Sequence, residues 1–376
     1  MLRDLVICGL FCLLLGSSAL GQQPGGGELA DPPDETELKT RLPVDVIQVT
    51  GNSLITDEEL QPILEPYQGR QMSVAELETL AGLIEKAYRD RGYFLVNAIV
   101  PTQESVKGVL LIQVLEGKID NVVVEGNDRY PTDFLKSRFQ YAVPAEGATT
   151  KDFQRGLFLL NELPDVRVKA VLSAGATEGS TDVVLKAEED KRWHVTMGYN
   201  NFGARLTGEH RFGLGTEISS VFTPGDFVAV RGLLSTPADN TLFWQGAYSV
   251  PVSPSGTRVG FQYANGSYTA GQEVEVLDIR GDANIYALTV HQPLVRTLKH
   301  TSDVDFRLSY NDLDNRILTQ QLSRDEYTSA TLGYSGSWRD DNGRFLGRGS
   351  VTRGLGGTSA GDPPASRLGA GADFTR

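Results

Sequence analysis

Cysteine is almost absent from this chain: there are two, Cys8 and Cys12, and both stand near its beginning. They fall in the stretch 1–21, which has Arg3 in a short head, an apolar middle and a small-residue end, and this pattern predicts an export signal. The bulky Ile7 disfavours lipidation of Cys8, because a small residue is expected before a lipoprotein cysteine. Once the signal is removed no thiol remains, which excludes a disulfide, an iron–sulfur cluster and a cysteine-ligated zinc.

Long apolar runs are also missing. After the export signal no stretch approaches the roughly 18 apolar residues that a membrane helix requires, so the mature chain is expected to be soluble or to cross a membrane as strands. Basic residues are in the minority, since 35 Lys and Arg stand against 48 Asp and Glu, for a net charge of −13. This balance argues against nucleic acid as a partner, because phosphate binding draws chiefly on Lys and Arg.

Patterns that carry catalysis or metal binding are scarce as well. The four histidines are isolated and show no metal-ligand spacing: His194, His210, His291 and His300. The segment 357–361 fits the hydrolase pattern G-x-S-x-G, but Pro363 and Pro364 follow where that pattern requires a helix. The acidic stretch 188–190 is interpreted as a solvated junction between domains. We therefore predict no enzyme activity, no cofactor and no metal site.

What the chain does contain is one short signature, twice. Val49-Thr50-Gly51-Asn52 returns as Val124-Glu125-Gly126-Asn127, about 75 residues further on. Each copy continues through two helix-like segments into two strand-like ones, so a tandem domain is predicted. The segment 22–41 before the first copy is rich in Pro, Gly and acidic residues and is predicted to be a linker.

Caps and hydrophobic periodicity predict the elements of each copy. The first copy is expected to form strand 44–50, a short helix bent by Pro62, a second helix ending before Gly92, and strands 96–101 and 109–115. Capping boxes begin the two helices, with Thr56 and Glu59 in one and Ser73 and Glu76 in the other. The second copy is expected to form strand 122–125, helices 132–139 and 153–160, and strands 166–172 and 182–187. The predicted order is β-α-α-β-β in both.

From about Trp193 onward, strands of roughly ten residues alternate apolar with polar positions. In one of them an apolar face is set against a polar face: Val304, Phe306, Leu308 and Tyr310 against Asp305, Arg307 and Ser309. Four further strands carry a similar apolar face: Val259/Phe261/Tyr263, Tyr286/Leu288/Val290, Ala330/Leu332/Tyr334 and Leu242/Trp244/Tyr248. This pattern indicates a membrane barrel with lipid outside and water inside, although a soluble sandwich would also alternate.

The connections between these strands distinguish the barrel from the sandwich. Segments 223–226 and 253–256 predict tight turns, whereas 269–284 and 312–326 predict long polar loops at the opposite strand ends. Short turns on one side and long loops on the other are typical of outer-membrane barrels. The sequence predicts about nine strands, and because a bacterial barrel needs an even number to close, only part of a barrel is expected here.

Several runs of residues resemble one known family. Arg91-Gly92-Tyr93, Ile99-Val100-Pro101-Thr102-Gln103 and the run 108–119 (GVLLIQVLEGKI) resemble the first POTRA module of the two-partner secretion transporters, the ShlB-type haemolysin secretion/activation proteins. The run 198–208 (GYNNFGARLTG) is similar to the opening hairpin of that family's barrel. Gly92 alone is equally typical of a helix C-cap, so the resemblance depends on the joint order of these residues. It covers the chain from about residue 42 to its end.

The resemblance implies a fold of tandem α+β POTRA modules followed by an antiparallel transmembrane β-barrel, of which about nine of the family's roughly sixteen strands are present. The domains expected are an export signal at 1–21, a linker at 22–41, POTRA modules at 42–118 and 119–190, and the first part of the barrel at 191–376. The family's lid-loop motif, Val-Arg-Gly followed by an aromatic residue, is imitated by Val230-Arg231-Gly232 with Leu233 in an early strand. The linker is expected to be too short for the family's N-terminal plug helix.

The resemblance also implies a function. The protein is expected to be a pore in the bacterial outer membrane, with its POTRA modules in the periplasm, that passes an unfolded exoprotein of the haemolysin or adhesin type to the cell surface. Its expected partners are that exoprotein, which has an N-terminal secretion domain, the lipid bilayer of the outer membrane, and the barrel-assembly machinery. The alternative is an outer-membrane protein insertase, which shares the plan of POTRA modules and barrel.

Two sets of site residues follow. Recognition by strand addition would use the edge strand 96–101 beside the second helix. The predicted partner-binding residues are Tyr88, Arg91, Tyr93, Val96, Ala98, Ile99 and Val100. The predicted pore-lining residues, which alternate with apolar neighbours, are Arg211, Glu217, Asp305 and Arg307.

Overall fold

The computed structural model describes residues 41–102, 108–177, 179–236 and 240–356. The predicted export signal, nearly all of the predicted linker, Gln103 of the family resemblance and the G-x-S-x-G segment lie outside the described residues. From Leu42 onward the chain forms one compact unit. Within the described ranges, none of the helices combines the length and the apolar composition needed to cross a membrane.

The first module has the predicted β-α-α-β-β order, with one small addition. Its elements are β1 Leu42–Val44, β2 Val46–Thr50, α1 Asp57–Leu64, a 3₁₀ turn Glu65–Tyr67, β3 Arg70–Met72, α2 Val74–Asp90, β4 Val96–Ile99 and β5 Val109–Glu116. Both predicted capping boxes are present, and Pro62 is accommodated inside α1. The main sheet has the order β2-β5-β4, while β1 pairs with β3 in a separate two-stranded sheet.

The second module repeats this plan. Its elements are β6 Lys118–Glu125, α3 Thr132–Ala142, α4 Thr150–Asn161, β7 Val166–Ala174 and β8 Ser180–Glu189. The sheet order is β6-β8-β7, so the parallel pair and the antiparallel edge strand correspond to those of the first module. Helix α4 begins at a capping box that the sequence analysis did not identify, formed by Thr149 and Asp152.

Each module buries its own apolar core. The larger buried residues of the first are Ile55, Leu60, Met72, Leu80, Ile84, Tyr88 and Ile112. Those of the second are Tyr130, Leu135, Phe139, Leu159, Leu160, Val183 and Leu185. The helices supply part of each core, such as Leu80 and Ile84 or Leu135 and Phe139, from one helical face, while strands and loops supply the rest.

The repeated signature has a steric cause. Gly51 has a φ of +82°, and a Cβ at this position would lie 2.3 Å from the carbonyl oxygen of Val114. Gly126 has a φ of +77°, and its Cβ would lie 2.4 Å from the carbonyl oxygen of Ala187. Only glycine satisfies both conditions, because other residues disfavour positive φ and carry the clashing atom. The strand therefore turns at the same point in each module.

The remaining strands form one antiparallel sheet of nine. They are β9 Trp193–Asn200, β10 His210–Ser219, β11 Phe227–Thr236, β12 Thr241–Pro251, β13 Arg258–Thr269, β14 Arg280–Arg296, β15 His300–Ile317, β16 Gln320–Arg339 and β17 Arg344–Gly356. Each strand pairs with its neighbours in sequence, so β9 and β17 are the edges of the sheet within the described ranges. The predicted fold class and the predicted number of strands are confirmed.

The register brings the predicted apolar residues onto one face. Phe261 lies opposite Leu288, Leu288 lies opposite Leu308, and Phe306 lies opposite Leu332. Such directly opposed side chains point to the same side of a sheet. We call this side the apolar face, and the side that carries Arg211, Glu217, Asp305 and Arg307 the polar face.

The predicted long loop 312–326 is wrong, and the predicted loop 269–284 is shorter than expected, since residues 270–279 connect β13 to β14. Residues 312–326 lie mostly in the paired ends of β15 and β16, which are joined at Leu318, and β14 begins at Arg280 within the other predicted loop. Strands β14, β15 and β16 therefore reach 17, 18 and 20 residues, whereas about 9–11 span a bilayer. The polar composition of these segments indicated loops, yet polar residues also suit a hairpin that projects beyond the membrane into water.

Candidate functional site

The predicted binding edge is strand β4, which within the described ranges has a neighbouring strand, β5, on one side only. The carbonyl oxygen of Leu95 accepts a hydrogen bond from the Gly117 amide at 2.7 Å, on the side of β5. The Ala98 amide donates instead to Oε1 of Glu85 in α2, at 3.1 Å. Since backbone groups alternate between the two sides of a strand, Val96, Ala98 and Val100 direct theirs outward.

One of the predicted edge residues, Ile99, does not direct its backbone outward. Ile99 directs its amide toward β5, where it is paired with Gln113, so it is not an outward donor. The Ala98 side chain is buried in the first core, and this residue therefore offers only its backbone to a partner. Strand register, which the sequence does not specify for so short a strand, decides which residues face outward.

Glu85 covers the outward edge. One of its carboxylate oxygens accepts from Ala98, and the other lies 3.0 Å from Nη1 of Arg89, one helical turn away. The Glu85 side chain is 22% exposed, so solvent reaches this contact. The carboxylate occupies the position that a carbonyl oxygen of an added strand would take. Sequence reasoning missed Glu85, whose only signal was a charge four residues before an arginine.

The prediction that Tyr88 contacts a partner is wrong. Its side chain is 0% exposed, and its hydroxyl donates to Oε1 of Glu116 at 2.7 Å. Burial, followed by the contact with Glu116, raises the pKa of Tyr88 far above its usual value. Tyr88 is therefore a core residue that orients a carboxylate, and its place in the helical periodicity was the signal for burial.

The carboxylate that Tyr88 orients has a counterpart in the second module. Glu116, the last residue of β5, accepts from the amides of Ser53 and Leu54 at 2.7 and 2.8 Å. Glu189, the last residue of β8, accepts from three successive amides, those of Asp128, Arg129 and Tyr130, at 3.0–3.1 Å. Each carboxylate thus holds the loop that follows the repeated glycine. The Glu189 side chain is 6% exposed, so the interpretation of 188–190 as a solvated stretch fails for this side chain, whereas Glu188 and Asp190 are exposed.

We predict that these two carboxylates make the modules sensitive to acid. Burial acts to raise the pKa of each, but the hydrogen bonds outweigh it, and the pKa of both lies below the usual 4.5. A pKa lowered by folding stabilises the fold above the unfolded-state value, and this contribution is lost as the pH falls through the folded-state value. Urea unfolding of residues 42–190 should therefore show stability falling below about pH 4.5.

The matched variants for the acid prediction are Glu116→Gln and Glu189→Gln. Each should lower stability at pH 7 by about 2 kcal/mol and reduce the loss between pH 5 and 3, because glutamine does not titrate in this range. Equal acid sensitivity in the double variant would show that other carboxyl groups control it.

The run Arg91-Gly92-Tyr93 lies at the joint between the two modules. Arg91 pairs with Glu59 at 3.0 Å, Tyr93 forms a bridge with Thr149, and the carbonyl oxygen of Gly92 accepts from the Thr150 amide at 2.8 Å. The contacts of Gly92 and Tyr93 connect the two modules, whereas Arg91 pairs with Glu59 of α1 inside the first module. That Arg91 and Tyr93 bind a partner remains a prediction.

The predicted pore-lining residues all lie on the polar face, and three of them have side-chain partners there, whereas Nε of Arg211 is buried without a hydrogen-bond partner among the described residues. Glu217 pairs with Arg231 at 2.5 Å, Asp305 lies 2.8 Å from Nδ1 of His291, and Nη1 of Arg307 donates to Gln262 at 2.7 Å. Arg211 also lies on this face, beside Asn200 and Ser235 in the register. A cavity of about 430 Å³ opens among the polar-face residues Glu217, Arg231, Gln245 and Gln262 and the turn Pro164-Asp165 of the second module. That these residues line a pore remains a prediction.

The predicted tight turns of the sheet rest on the second module. A Cβ at Gly225 would lie 2.9 Å from Leu163, and a Cβ at Gly256 would lie 2.7 Å from Leu159. The φ values of Gly225 and Gly256, +79° and +92°, favour glycine in both turns, and the leucine side chains leave little room for a Cβ. Asp165 reaches from the second module to Nε2 of His194 in β9, at 2.6 Å.

A network of charged side chains also spans the contact between the second module and the sheet. Arg296 of β14, which is 5% exposed, forms ion pairs with Glu162 of the second module and with Asp303 of β15. His291 contacts both Asp303 and Asp305. In the part of the chain that is described, no three of the His, Cys, Asp and Glu residues are grouped so as to hold a metal ion.

Comparison with known families gives two matches. Residues 42–117 match the POTRA domain, ShlB-type, and residues 179–375, more than half of the chain, match the haemolysin secretion/activation protein family ShlB/FhaC/HecB. Among curated proteins, the chain is 25% identical over 317 residues to the heme/hemopexin transporter protein HuxB of Haemophilus influenzae, covering 83% of this chain and 56% of that protein. It is 25% identical over 335 residues to the hemolysin transporter protein ShlB of Serratia marcescens, covering 86% and 58%.

The fold also matches a solved structure. The structure of CdiB from Escherichia coli superposes with a TM-score of 0.69 at 22% identity, covering 89% of this chain and 61% of that one. This similarity supports the fold alone. The chain spans little more than half the length of the curated relatives it matches.

Proposed function

Since this chain belongs to the haemolysin secretion/activation protein family ShlB/FhaC/HecB, we propose that it is the outer-membrane transporter of a two-partner secretion system. It is an outer-membrane protein with a ShlB-type POTRA domain in the periplasm. The observation that carries the proposal is the continuity of that domain with a nine-stranded sheet that has one apolar and one polar face. The insertase alternative has no added support from the relatives, which are named as transporters.

We further propose the division of the chain and its partners. The two POTRA modules would occupy 42–118 and 119–190, and the barrel segment would begin at 191. The apolar face would contact lipid, and the polar face would contact an unfolded exoprotein that has an N-terminal secretion domain. The barrel-assembly machinery would insert the protein, and transport would be passive, with no chemistry at the side chains of the polar face.

The first module would bind the exoprotein by strand addition at β4. The outward donor nearest the middle of this edge is the Ala98 amide, which Glu85 covers. An incoming strand would supply a carbonyl oxygen to Ala98 and release Glu85 to solvent and Arg89. Because a charge-assisted hydrogen bond is exchanged for a neutral one, binding through this edge should be moderate and reversible.

The test is affinity for the N-terminal secretion domain of the exoprotein encoded beside this gene, measured with residues 42–190. Ala98→Pro removes the outward donor while an edge strand tolerates proline, so we expect at least tenfold weaker binding. Glu85→Ala removes the competing acceptor and should tighten binding by a few fold. The matched control is Leu172→Pro, at an outward position of edge strand β7 in the second module, which should leave the affinity unchanged.

Circular dichroism must show that each variant remains folded. Unchanged affinity in a folded Ala98→Pro variant would exclude this edge as the binding site. Equal loss of affinity in Leu172→Pro would instead place recognition on the second module.

A further inference from the structure

A second cavity lies where the second module meets the sheet. It has a volume of about 280 Å³ and lies between the ends of α3 and α4 and the first residues of β13 and β15. Its walls carry an unusual share of charge: Arg138, Arg258, Arg296, His291, Glu162 and Asp303. The pore-lining prediction did not include any of them.

The two carboxylates of this cavity already pair with two of its cations. Arg296 forms ion pairs with Glu162 and Asp303, and His291 contacts Asp303 and Asp305. The guanidinium of Arg296 is therefore compensated within the protein. The other two arginines of this cavity, Arg138 and Arg258, have no such ion pair among the described residues.

Among the described residues, Arg138 and Arg258 make hydrogen bonds only to neutral oxygens. Nη2 of Arg138 donates to the carbonyl oxygen of Ser253 at 3.3 Å. Nη2 of Arg258 donates to the carbonyl oxygen of Gly225 at 3.0 Å, and its Nε donates to Oγ of Ser249 at 3.2 Å. Neither guanidinium forms an ion pair among the described residues, and Glu162, which lies in the same cavity, is already paired with Arg296.

Arg138 is the more exceptional of the two. It is 4% exposed, it stacks over the ring of Phe134 at 5.2 Å, and its Nε is buried without a hydrogen-bond partner among the described residues. Burial, followed by repulsion from Arg258, lowers the pKa of Arg138 to about 10. A buried cation with an unused donor is costly unless a partner compensates it.

We propose that Arg138 and Arg258 together bind an oxyanion, of phosphate or carboxylate chemistry, in this cavity. The planar guanidinium fork suits either group, because it presents two parallel N–H donors to two oxygens. Arg258 lies on the polar face, in register with His291, so the site opens toward the space that the exoprotein would cross. The ligand is therefore either a free phosphate or an acidic side chain of a polypeptide, and the site exists whether or not the protein transports.

The experiment uses the whole protein, purified in detergent, and follows its thermal unfolding by heat-modifiable migration on gels. Sodium phosphate and sodium acetate are titrated separately against sodium chloride at equal ionic strength. We expect a saturable rise in the unfolding midpoint with phosphate or acetate that chloride does not reproduce. A stronger response to phosphate assigns the site to a free anion, and a stronger response to acetate assigns it to an acidic side chain.

Substitutions of the two arginines test whether the rise in the unfolding midpoint originates in this cavity. Arg138→Met and Arg258→Met should each weaken the oxyanion response at least tenfold, whereas Arg344→Met, at an exposed arginine that bonds only Ser337 among the described residues, should keep it. Arg138→Lys, which keeps the charge but loses the planar fork, should show an intermediate response and serves if the methionine variant does not fold. The proposal is overturned if chloride acts as strongly as phosphate and acetate, or if the folded variants at 138 and 258 respond like the wild type.

Discussion

Replacing Gly126 with alanine is expected to cost the second module about 3–5 kcal/mol of unfolding free energy, and Gly51→Ala should cost the first module as much. At each position the backbone has a positive φ, and the new Cβ would lie within 2.4 Å of a carbonyl oxygen in the neighbouring strand. The clash involves backbone on both sides, so a rotamer change cannot relieve it. Urea unfolding of residues 42–190 measures the loss, since both cores consist of residues within this range.

The matched control is Gly82→Ala. Gly82 lies in α2, and a Cβ there would have nothing within 4 Å. Alanine is the better helix former by about 1 kcal/mol, so this variant should be slightly more stable than the wild type. A loss below 1 kcal/mol at both Gly51 and Gly126 would mean that the strands can separate enough to admit a methyl group, and the steric explanation of the repeat would be wrong.

Arg296→Met should loosen the contact between the second module and the sheet, at a cost of about 3 kcal/mol. The substitution leaves Glu162 and Asp303 without their shared cation in a partly buried place. Burial already raises the pKa of Glu162, in spite of Arg296, so the carboxyl group depends on this partner to remain charged. Hydrogen exchange of the whole protein in detergent should show faster exchange in α4 and in the turn that follows it.

The control for Arg296 is Arg316→Met. Arg316 also pairs with an aspartate, Asp314, but its side chain is 56% exposed and lies at the far end of the same strands. An exposed pair of this kind contributes about 0–1 kcal/mol, so exchange near the second module should not change. If Arg296→Met also leaves that exchange unchanged, the network is not what holds the module to the sheet.

The elements with strong periodic or capping signals were predictable from the sequence. Helix α2 was located by Ser73 and Glu76 and by its apolar face, because a cap and a helical stripe both depend on neighbours a few residues away. The alternation in β15 likewise predicted its two faces, since side chains in a strand alternate whatever the strand pairs with. The repeated Gly-Asn signature predicted the tandem modules for the same local reason.

What the sequence could not decide depends on contacts between distant segments. The amide of Ile99 turned out to face β5 because the register with Gln113 places it there. The helical periodicity placed Tyr88 on the apolar face of α2, but only the fold showed that its hydroxyl donates to Glu116, 28 residues away. Polar hairpin ends and polar loops have the same composition, so only pairing distinguished them in β15 and β16.

Local patterns in the sequence predicted the export signal, the two modules, the alternating strands and the family resemblance. The tertiary structure alone decided that Glu85 covers the binding edge, that the turns at Gly225 and Gly256 rest on the second module, and that Arg138 and Arg258 share a cavity. Residues 120 positions apart in the chain, such as Arg138 and Arg258, come together only when the module docks on the sheet. Burial and charge compensation are properties of that docked arrangement, and no local pattern encodes them.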